Sequence, residues 1–368
     1  MKKILVLGCT GSIGTSTLDI IKNQKDRFSC CGLTANKNRK KLEELAALFS
    51  CPCSLTSEDG TDGIKKLIDS TKPDIVVNGI AGSAGLVPTI LVLEAGIDLA
   101  LANKESVVMA GPVIFSLAKK TGSRILPVDS EHSAIFTLLN SCGAKNTDQL
   151  IITASGGPFR TWNSEKIASA TLQDALKHPT WNMGTKITVD SATLGNKGLE
   201  VIEAKRLFGF DTEKIEVVIH PESVIHSLVR TKDGIVYAQL SEPDMKHPII
   251  QALDWPEVKC NFMRSFDLTD TLTGKRTLTF EKPRRKDFPL LDLAYKAAKN
   301  DNCHPIAFNA ANEIAAGAFI EGKINFGKIA EIVAKVMEGR QEWNTEIRDT
   351  ADIFEADCLA RKLAAELV

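Results

Sequence analysis

The chain has 368 residues, of which 43% are hydrophobic and 25% charged, with 45 basic side chains against 46 acidic ones. That length calls for two or three domains, and the composition is that of a folded globular protein. The near-cancelled charge argues against a nucleic-acid groove or a polybasic membrane patch, and the basic run at 282–286 reads as a solvated linker.

Residues 4–8 form a short apolar strand, and a helix pattern comes next over 12–22. Further strands are expected at 28–33, 75–78, 97–102 and 125–128, with helices at 40–49, 64–69 and 106–120 between them. Strands that alternate with helices and are apolar on both faces predict a Rossmann-like α/β domain, with its parallel sheet covered on both sides, over residues 1–122. From 123 to 253 the pattern changes. Strands at 150–153, 186–189, 217–219, 227–230 and 236–239 mix with helices near 132–140 and 196–208, predicting a central α+β domain with a second sheet. Pro243, Pro248, Pro256 and Pro283 break up the adjoining stretch, so 254–285 reads as a connector. Residues 286–368 are almost purely helical in pattern, as a C-terminal helical bundle would be.

The nine cysteines are scattered without a Cys-x-x-Cys pair, as reduced, buried thiols would be. No apolar run approaches the ~20 residues that span a bilayer. A strand begins directly after Met1-Lys2-Lys3, so no targeting segment is read and a cytoplasmic location is expected.

Gly8, Gly11 and Gly14 fall at a strand end, a turn and a first helical turn. Glycine there lets a pyrophosphate approach the backbone at a helix N-terminus, although a tight ligand-free turn would have the same spacing. At the end of the second strand an NAD site usually carries Asp or Glu. Here Ala35 is followed by Asn36, Lys37, Asn38 and Arg39, whose amide, ammonium and guanidinium donors suit a 2′-phosphate, so NADPH is the expected cofactor. Asn103, Lys104 and Glu105 come after the 97–102 strand at the sheet edge where such folds bind ligands.

Asp129 and Glu131 are two residues apart, and in an extended segment they would share a face. A shared cation would relieve their repulsion, and capping of the next helix is the alternative. Glu200, three residues after Lys197 on a helix starting near Asn196, supplies a third oxygen donor and favours Mg²⁺ or Mn²⁺. Ser155-Gly-Gly-Pro-Phe-Arg160 offers amides and a hydroxyl, as phosphate-binding turns do. His178-Pro-Thr-Trp181-Asn-Met183-Gly184 combines histidine and indole in a loop that either covers a bound sugar or anchors by packing.

Together these motifs, with Val189-Asp-Ser-Ala-Thr-Leu-Gly-Asn-Lys-Gly-Leu-Glu200, His220-Pro-Glu-Ser-Val-Ile-His226 and Asn309-Ala-Ala-Asn-Glu-Ile314, resemble the 1-deoxy-D-xylulose 5-phosphate reductoisomerase family. The similarity runs in order along nearly the whole chain. Cys9 stands where the family more often has serine, and Asn182 and Gly195 lie at variable positions. The resemblance implies a V-shaped homodimer with an NADPH domain, a central catalytic domain that also forms the dimer interface, and a helical domain. It implies rearrangement of the ketose phosphate to a branched aldehyde and reduction of that aldehyde to 2-C-methyl-D-erythritol 4-phosphate, the committed step of non-mevalonate isoprenoid synthesis. By position, Asp129, Glu131 and Glu200 would hold the metal, and Lys104 and Ser130 would contact the reacting end of the sugar. Ser155, Ser191, Asn196 and Lys197 would bind phosphate, with His178 and the lid residues Trp181 and Met183 closing over it. Thr10, Gly11, Ser12, Ile13, Ala35, Asn36, Lys37, Asn38, Asn103, Glu105 and Gly184 would hold NADPH. A semialdehyde dehydrogenase is the competing enzyme class, but it needs an activated cysteine and the central region offers only Cys142. A non-catalytic NADPH sensor, whose acids merely cap helices, is the other alternative.

Overall fold

Short apolar strands build the first sheet, and most of their residues are buried, as in a sheet covered on both faces. The computed structural model describes residues 1–181, 183–269 and 277–368. Its first elements are β1 (Lys2–Leu7), α1 (Ser12–Asn23), β2 (Phe28–Ala35), α2 (Arg39–Phe49), β3 (Cys53–Leu55) and α3 (Thr56–Thr71). Next are β4 (Ile75–Asn78), α4 (Leu86–Glu94), β5 (Asp98–Leu101), α5 (Lys104–Thr121) and β6 (Ile125–Pro127). All six strands are parallel, in the order β3-β2-β1-β4-β5-β6. This is the doubly wound order, and it reverses between β1 and β4, where such sheets open a crevice at their carboxyl ends.

The chain continues through α6 (Ser130–Cys142), β7 (Thr147–Ala154), α7 (Ser164–Ala168), α8 (Leu172–Ala175), α9 (Thr185–Ala192) and α10 (Gly195–Phe208). Then come β8 (Ile215–Ile219), β9 (Ile225–Thr231), β10 (Val236–Leu240), α11 (Lys246–Asp254), α12 (Leu290–Asn300), α13 (His304–Ile320), α14 (Phe326–Met337) and α15 (Thr350–Ala365). Two compact units result, neither of them continuous in sequence. The first comprises 1–106, 112–133 and 244–265; the second comprises 107–111, 134–243 and 266–368.

In the first unit, α11 returns to pack on α1, and Arg27 forms an ion pair with the buried Asp254. In the second, β10-β9-β7-β8 form a mixed sheet in which only β7 and β8 run parallel. Its helices pack closely enough that a Cβ on Gly198 of α10 would lie 2.6 Å from the Cβ of Ala294 on α12. Trp343 is fully buried and donates its indole N–H to the Val336 carbonyl at 2.9 Å.

The parallel sheet, the second sheet and the four C-terminal helices match the sequence expectation. Residues 186–189 do not: they lie in α9, not in a strand. The β-branched run 187–189 favours a strand locally. Helix wins because Thr188, Val189 and Ala192 are buried against the core while Lys186 reaches Asp190 one turn on, at 2.7 Å. The segment 129–131 is likewise not extended, since α6 begins at Ser130 and places Glu131 in its first turn. No element is expected from the sequence at β3, α4, α7, α8 or α11. The expected 254–285 connector lies in part, at 270–276, outside the described residues, as does Asn182.

Candidate active site

At the end of β1 the chain must turn sharply into α1. Gly8 has φ +78°, and a Cβ on Gly14 would fall 2.3 Å from the Gly8 carbonyl oxygen and 2.5 Å from the Cys9 Cα, so no side chain fits there. Gly11 stands at the N-cap of α1 without a capping side chain, and its own amide donates to the Gly8 carbonyl at 3.1 Å, so the first amides of the helix, from Ser12 and Ile13 onward, face an anion site. At the end of β2, Ala35 is buried while Asn36, Lys37 and Asn38 are exposed. Asn38 caps α2, its Oδ1 accepting from the Lys41 amide at 3.1 Å. Arg39 is drawn into ion pairs with Glu58 and, at 3.4 Å, Glu43, which leaves Lys37 the better placed of the two cations for a phosphate.

Asn103 caps α5 by accepting from the Ser106 amide at 3.0 Å. Its Nδ2 donates to the carbonyls of Ile80 and Gly82, both at 2.8 Å, and to Glu105 at 2.9 Å. The side chain thus ties the 80–82 turn to the β5–α5 junction. It sets the position of the next residue, Lys104.

Lys104 is buried, and its ammonium lies 2.6 Å from Asp129 Oδ2, while the fully buried His132 brings Nδ1 to 3.3 Å from Oδ1. Burial alone would raise the Asp129 carboxyl. The Lys104 ammonium and His132 overcome that and hold it well below the usual carboxylate range. Asp129 Oδ1 also accepts from the Glu131 amide at 3.3 Å, and Ser133 N donates to the Asp129 carbonyl at 2.8 Å, so Asp129 caps α6 as well. Ser130 Oγ donates to Glu131 at 2.5 Å. His132 was missed in the sequence, where only its position three residues after Asp129 hinted at the contact.

In the second unit, Glu200 is 1% exposed, with Lys197 Nζ 2.5 Å from Oε2 and Asn196 Nδ2 2.6 Å from Oε1. These three side chains share one face of α10, as the i, i+3 and i, i+4 spacings require. The turn feeding that helix is strained: Leu194 sits at φ 56°, an uncommon conformation for a branched side chain. Thr193 holds the turn, its Oγ1 donating to the Asp190 carbonyl and accepting from the Gly195 amide, both at 3.1 Å. The Asp190 carboxylate itself is buried, ion-paired with Lys186 and hydrogen-bonded by Asn312 of α13 at 2.9 Å. Asp190 and Asn312 lie inside family-like motifs, but nothing in the sequence joins them.

Gly157 has φ +65°, and a Cβ there would meet the Ser191 carbonyl at 2.8 Å, so the 155–157 turn packs directly on the end of α9. Ser155 and Ser191 are therefore brought into one neighbourhood. His178 Nδ1 accepts from the amides of Thr180 (3.2 Å) and Trp181 (2.9 Å), which puts its proton on Nε2, 3.0 Å from Ser155 Oγ. The Gly157 amide donates to the same oxygen at 3.2 Å. With two donors on its oxygen, the Ser155 hydroxyl is oriented to give its own proton to a third group. Trp181 is half-buried, its ring centroid 6.2 Å from that of His226; Met183 is half-buried and Gly184 caps α9.

Burial pushes the His178 imidazole down to about 4 from its ordinary 6.5. The unfolded chain therefore takes up this proton first as pH falls. The stabilisation is complete above 6.5 and is lost as pH drops through about 4. Thermal melts of the protein and of His178→Gln should show a stability gap that narrows on acidification through that window. A gap independent of pH would show that the ring is not held neutral.

A doubly wound sheet with a glycine turn after β1, basic residues after β2 and a lysine–carboxylate pair at the same carboxyl edge defines an NADP-dependent oxidoreductase. Family models for 1-deoxy-D-xylulose 5-phosphate reductoisomerase match residues 4–59 and 50–111, and those for its C-terminal domains match 125–208 and 240–363. The chain belongs to the 1-deoxy-D-xylulose 5-phosphate reductoisomerase family. The enzyme of that name from Treponema denticola is 45% identical over 372 residues, covering 99% of this chain and 96% of the relative. The crystal structure of a DOX-P reductoisomerase in complex with NADPH, fosmidomycin and magnesium is 37% identical, with a TM-score of 0.91, covering 100% of this chain and 98% of that one. The Zymomonas mobilis enzyme in complex with NADPH is 38% identical, with a TM-score of 0.87 and the same coverage. No helix among the described residues is long and apolar enough to cross a membrane.

Proposed function

We propose that this chain rearranges and reduces 1-deoxy-D-xylulose 5-phosphate to 2-C-methyl-D-erythritol 4-phosphate, with NADPH as reductant and Mg²⁺ or Mn²⁺ as the divalent ion. The observation that carries the reading is the buried Lys104–Asp129 pair at the carboxyl edge of the dinucleotide sheet, in a chain that matches this family along its whole length. Both groups fit the residues present. The β1–α1 turn is closed so tightly at Gly14 that only glycine fits, as a pyrophosphate-binding turn requires, and Asp129 is kept anionic for a hard cation. Asp129 and Glu131 with Glu200 would hold the ion. Bound there, it would supply Lewis acidity to the carbonyl oxygen of the ketose and then of the aldehyde.

The chain's own residues do the rest. Lys104 offers its ammonium, and Ser130 its hydroxyl, to the oxygens at the reacting end of the sugar. Ser155, Ser191, Asn196 and Lys197 anchor the phosphate, and that remote binding energy orients the reacting end. His178, neutral at ordinary pH, orients Ser155 without adding charge. Trp181 and Met183 cover the sugar and exclude water from hydride transfer. Thr10 to Ile13, Ala35 to Asn38, Asn103, Glu105 and Gly184 hold NADPH, with Asn103 acting through the backbone it fixes. Residues 1–122 serve the nucleotide, 123–253 serve catalysis and homodimer contact, and 286–368 form the helical domain of a cytoplasmic enzyme, joined through 254–285.

The test is a spectrophotometric assay of NADPH loss with 1-deoxy-D-xylulose 5-phosphate. Turnover should vanish with EDTA and return with Mg²⁺ or Mn²⁺; NADPH oxidation that ignores the chelator would sink the metal assignment. Replacing Lys37 and Arg39 together by alanine should narrow the preference for NADPH over NADH by roughly tenfold or more, as loss of a charge-assisted phosphate contact predicts. Most of that effect should come from Lys37, and equal losses with both nucleotides would argue against 2′-phosphate recognition.

A further inference from the structure

β2 carries adjacent thiols at Cys30 and Cys31, and Pro52 is flanked by Cys51, after α2, and by Cys53, the first residue of β3. The β1–β2 pairing is irregular here: Ile4 pairs with Cys30 and Leu5 with Gly32, so Cys31 is an extra residue that re-aims its neighbours. At the end of α2, Ser50 takes the left-handed conformation (φ 51°) and the Cys51 amide donates to the Ala46 carbonyl at 3.1 Å. The two features bring Cys30 Sγ to 3.7 Å from Cys51 Sγ, and both residues are half-buried. A disulfide needs roughly 2 Å between sulfurs, a gap that small side-chain rotations close.

We infer that Cys30 and Cys51 form an oxidisable dithiol in the nucleotide-binding unit, a modification site for small hydroperoxides that closes to an intramolecular disulfide. The hydrogen bond from Cys30 holds the Cys51 thiol below its ordinary value, while the same contact and burial raise Cys30. Cys51 is therefore the first thiolate and the nucleophile. Its sulfur attacks one peroxide oxygen, the O–O bond breaks, hydroxide leaves, and Cys51 becomes a sulfenic acid. Cys30 sulfur then attacks Cys51 sulfur, the S–O bond breaks, and the departing hydroxide takes the Cys30 proton as water. With hydrogen peroxide, two thiols are oxidised to one disulfide and the peroxide is reduced to two waters. The other thiols differ: Cys9, for example, is fully buried and its thiol is pushed up to about 12. The bridge would staple β2 to the far end of α2, enclosing the segment that carries Lys37 and Asn38.

The experiment treats the full-length protein with hydrogen peroxide, blocks remaining thiols, and maps peptides by mass spectrometry with and without dithiothreitol. Expected is one reversible bridge joining Cys30 to Cys51, with Cys31 and Cys53 still alkylated. In Cys30→Ser a dimedone adduct should accumulate at Cys51, and in Cys51→Ser Cys30 should stay reduced at the same dose. Bridging through Cys31 or Cys53 in comparable yield would overturn the proposal. So would irreversible oxidation of Cys51 without a bridge, or four intact thiols after treatment. The wild-type map alone decides the matter should either variant fold poorly.

Discussion

Glu200→Gln is expected to lower turnover by about 10²- to 10³-fold while leaving the Kd for NADPH within about twofold, because each ~1.4 kcal/mol of lost transition-state stabilisation is one decade. Glutamine keeps the shape and one carbonyl oxygen but removes the negative charge that a divalent ion requires. Glu200 is not among the residues proposed to hold NADPH, so nucleotide titration separates loss of chemistry from loss of fold. The structure adds a second consequence. Glu200 pairs with the buried Lys197 at 2.5 Å, and breaking a buried ion pair from one side costs about 3 kcal/mol. Thermal denaturation should therefore show Glu200→Gln less stable without metal or substrate, and inorganic phosphate should restore part of the loss by supplying a new counter-charge. Unchanged turnover at saturating Mg²⁺ would remove Glu200 from the metal site.

Lys197→Ala is expected to raise KM for the phosphorylated substrate by roughly 10- to 100-fold, the worth of a charge-assisted hydrogen bond to phosphate. The effect on kcat should be smaller, since a remote anchor contributes mainly to binding and orientation. Lys197 also holds Glu200, so some loss of kcat is expected through that partner, and Lys197→Arg should recover charge more than geometry. Steady-state kinetics across substrate concentration read both quantities. An unaltered KM would contradict the phosphate assignment and leave Lys197 as a counter-ion alone.

Much of the first unit can be read from the chain because local signals and tertiary demands agree there. Apolar strands, glycines at Gly8 and Gly14 and donors after β2 each carry their meaning within a few residues. Sequence and structure part where those signals disagree. Residues 186–189 have strand-like side chains but are helical, since burial of one helical face outweighs β propensity. Asp129 and Glu131, neighbours on one face of an extended segment by spacing, lie at a helix start where one caps the other's amide.

Sequence by itself marked the family and supplied the groups for its chemistry: three carboxylates, a set of hydroxyl, amide and ammonium donors, a glycine turn and a basic turn after β2, in that family's order. Tertiary structure alone decided their electrostatic state. Lys104 and His132 hold Asp129 charged, His178 is kept neutral by burial with its proton facing Ser155, and Asp190 is anchored by Asn312 from 122 residues away. The physical reason is that residue type and spacing set which groups are available. Charge and orientation depend on burial and on partners distant in sequence, and those exist only once the chain has folded.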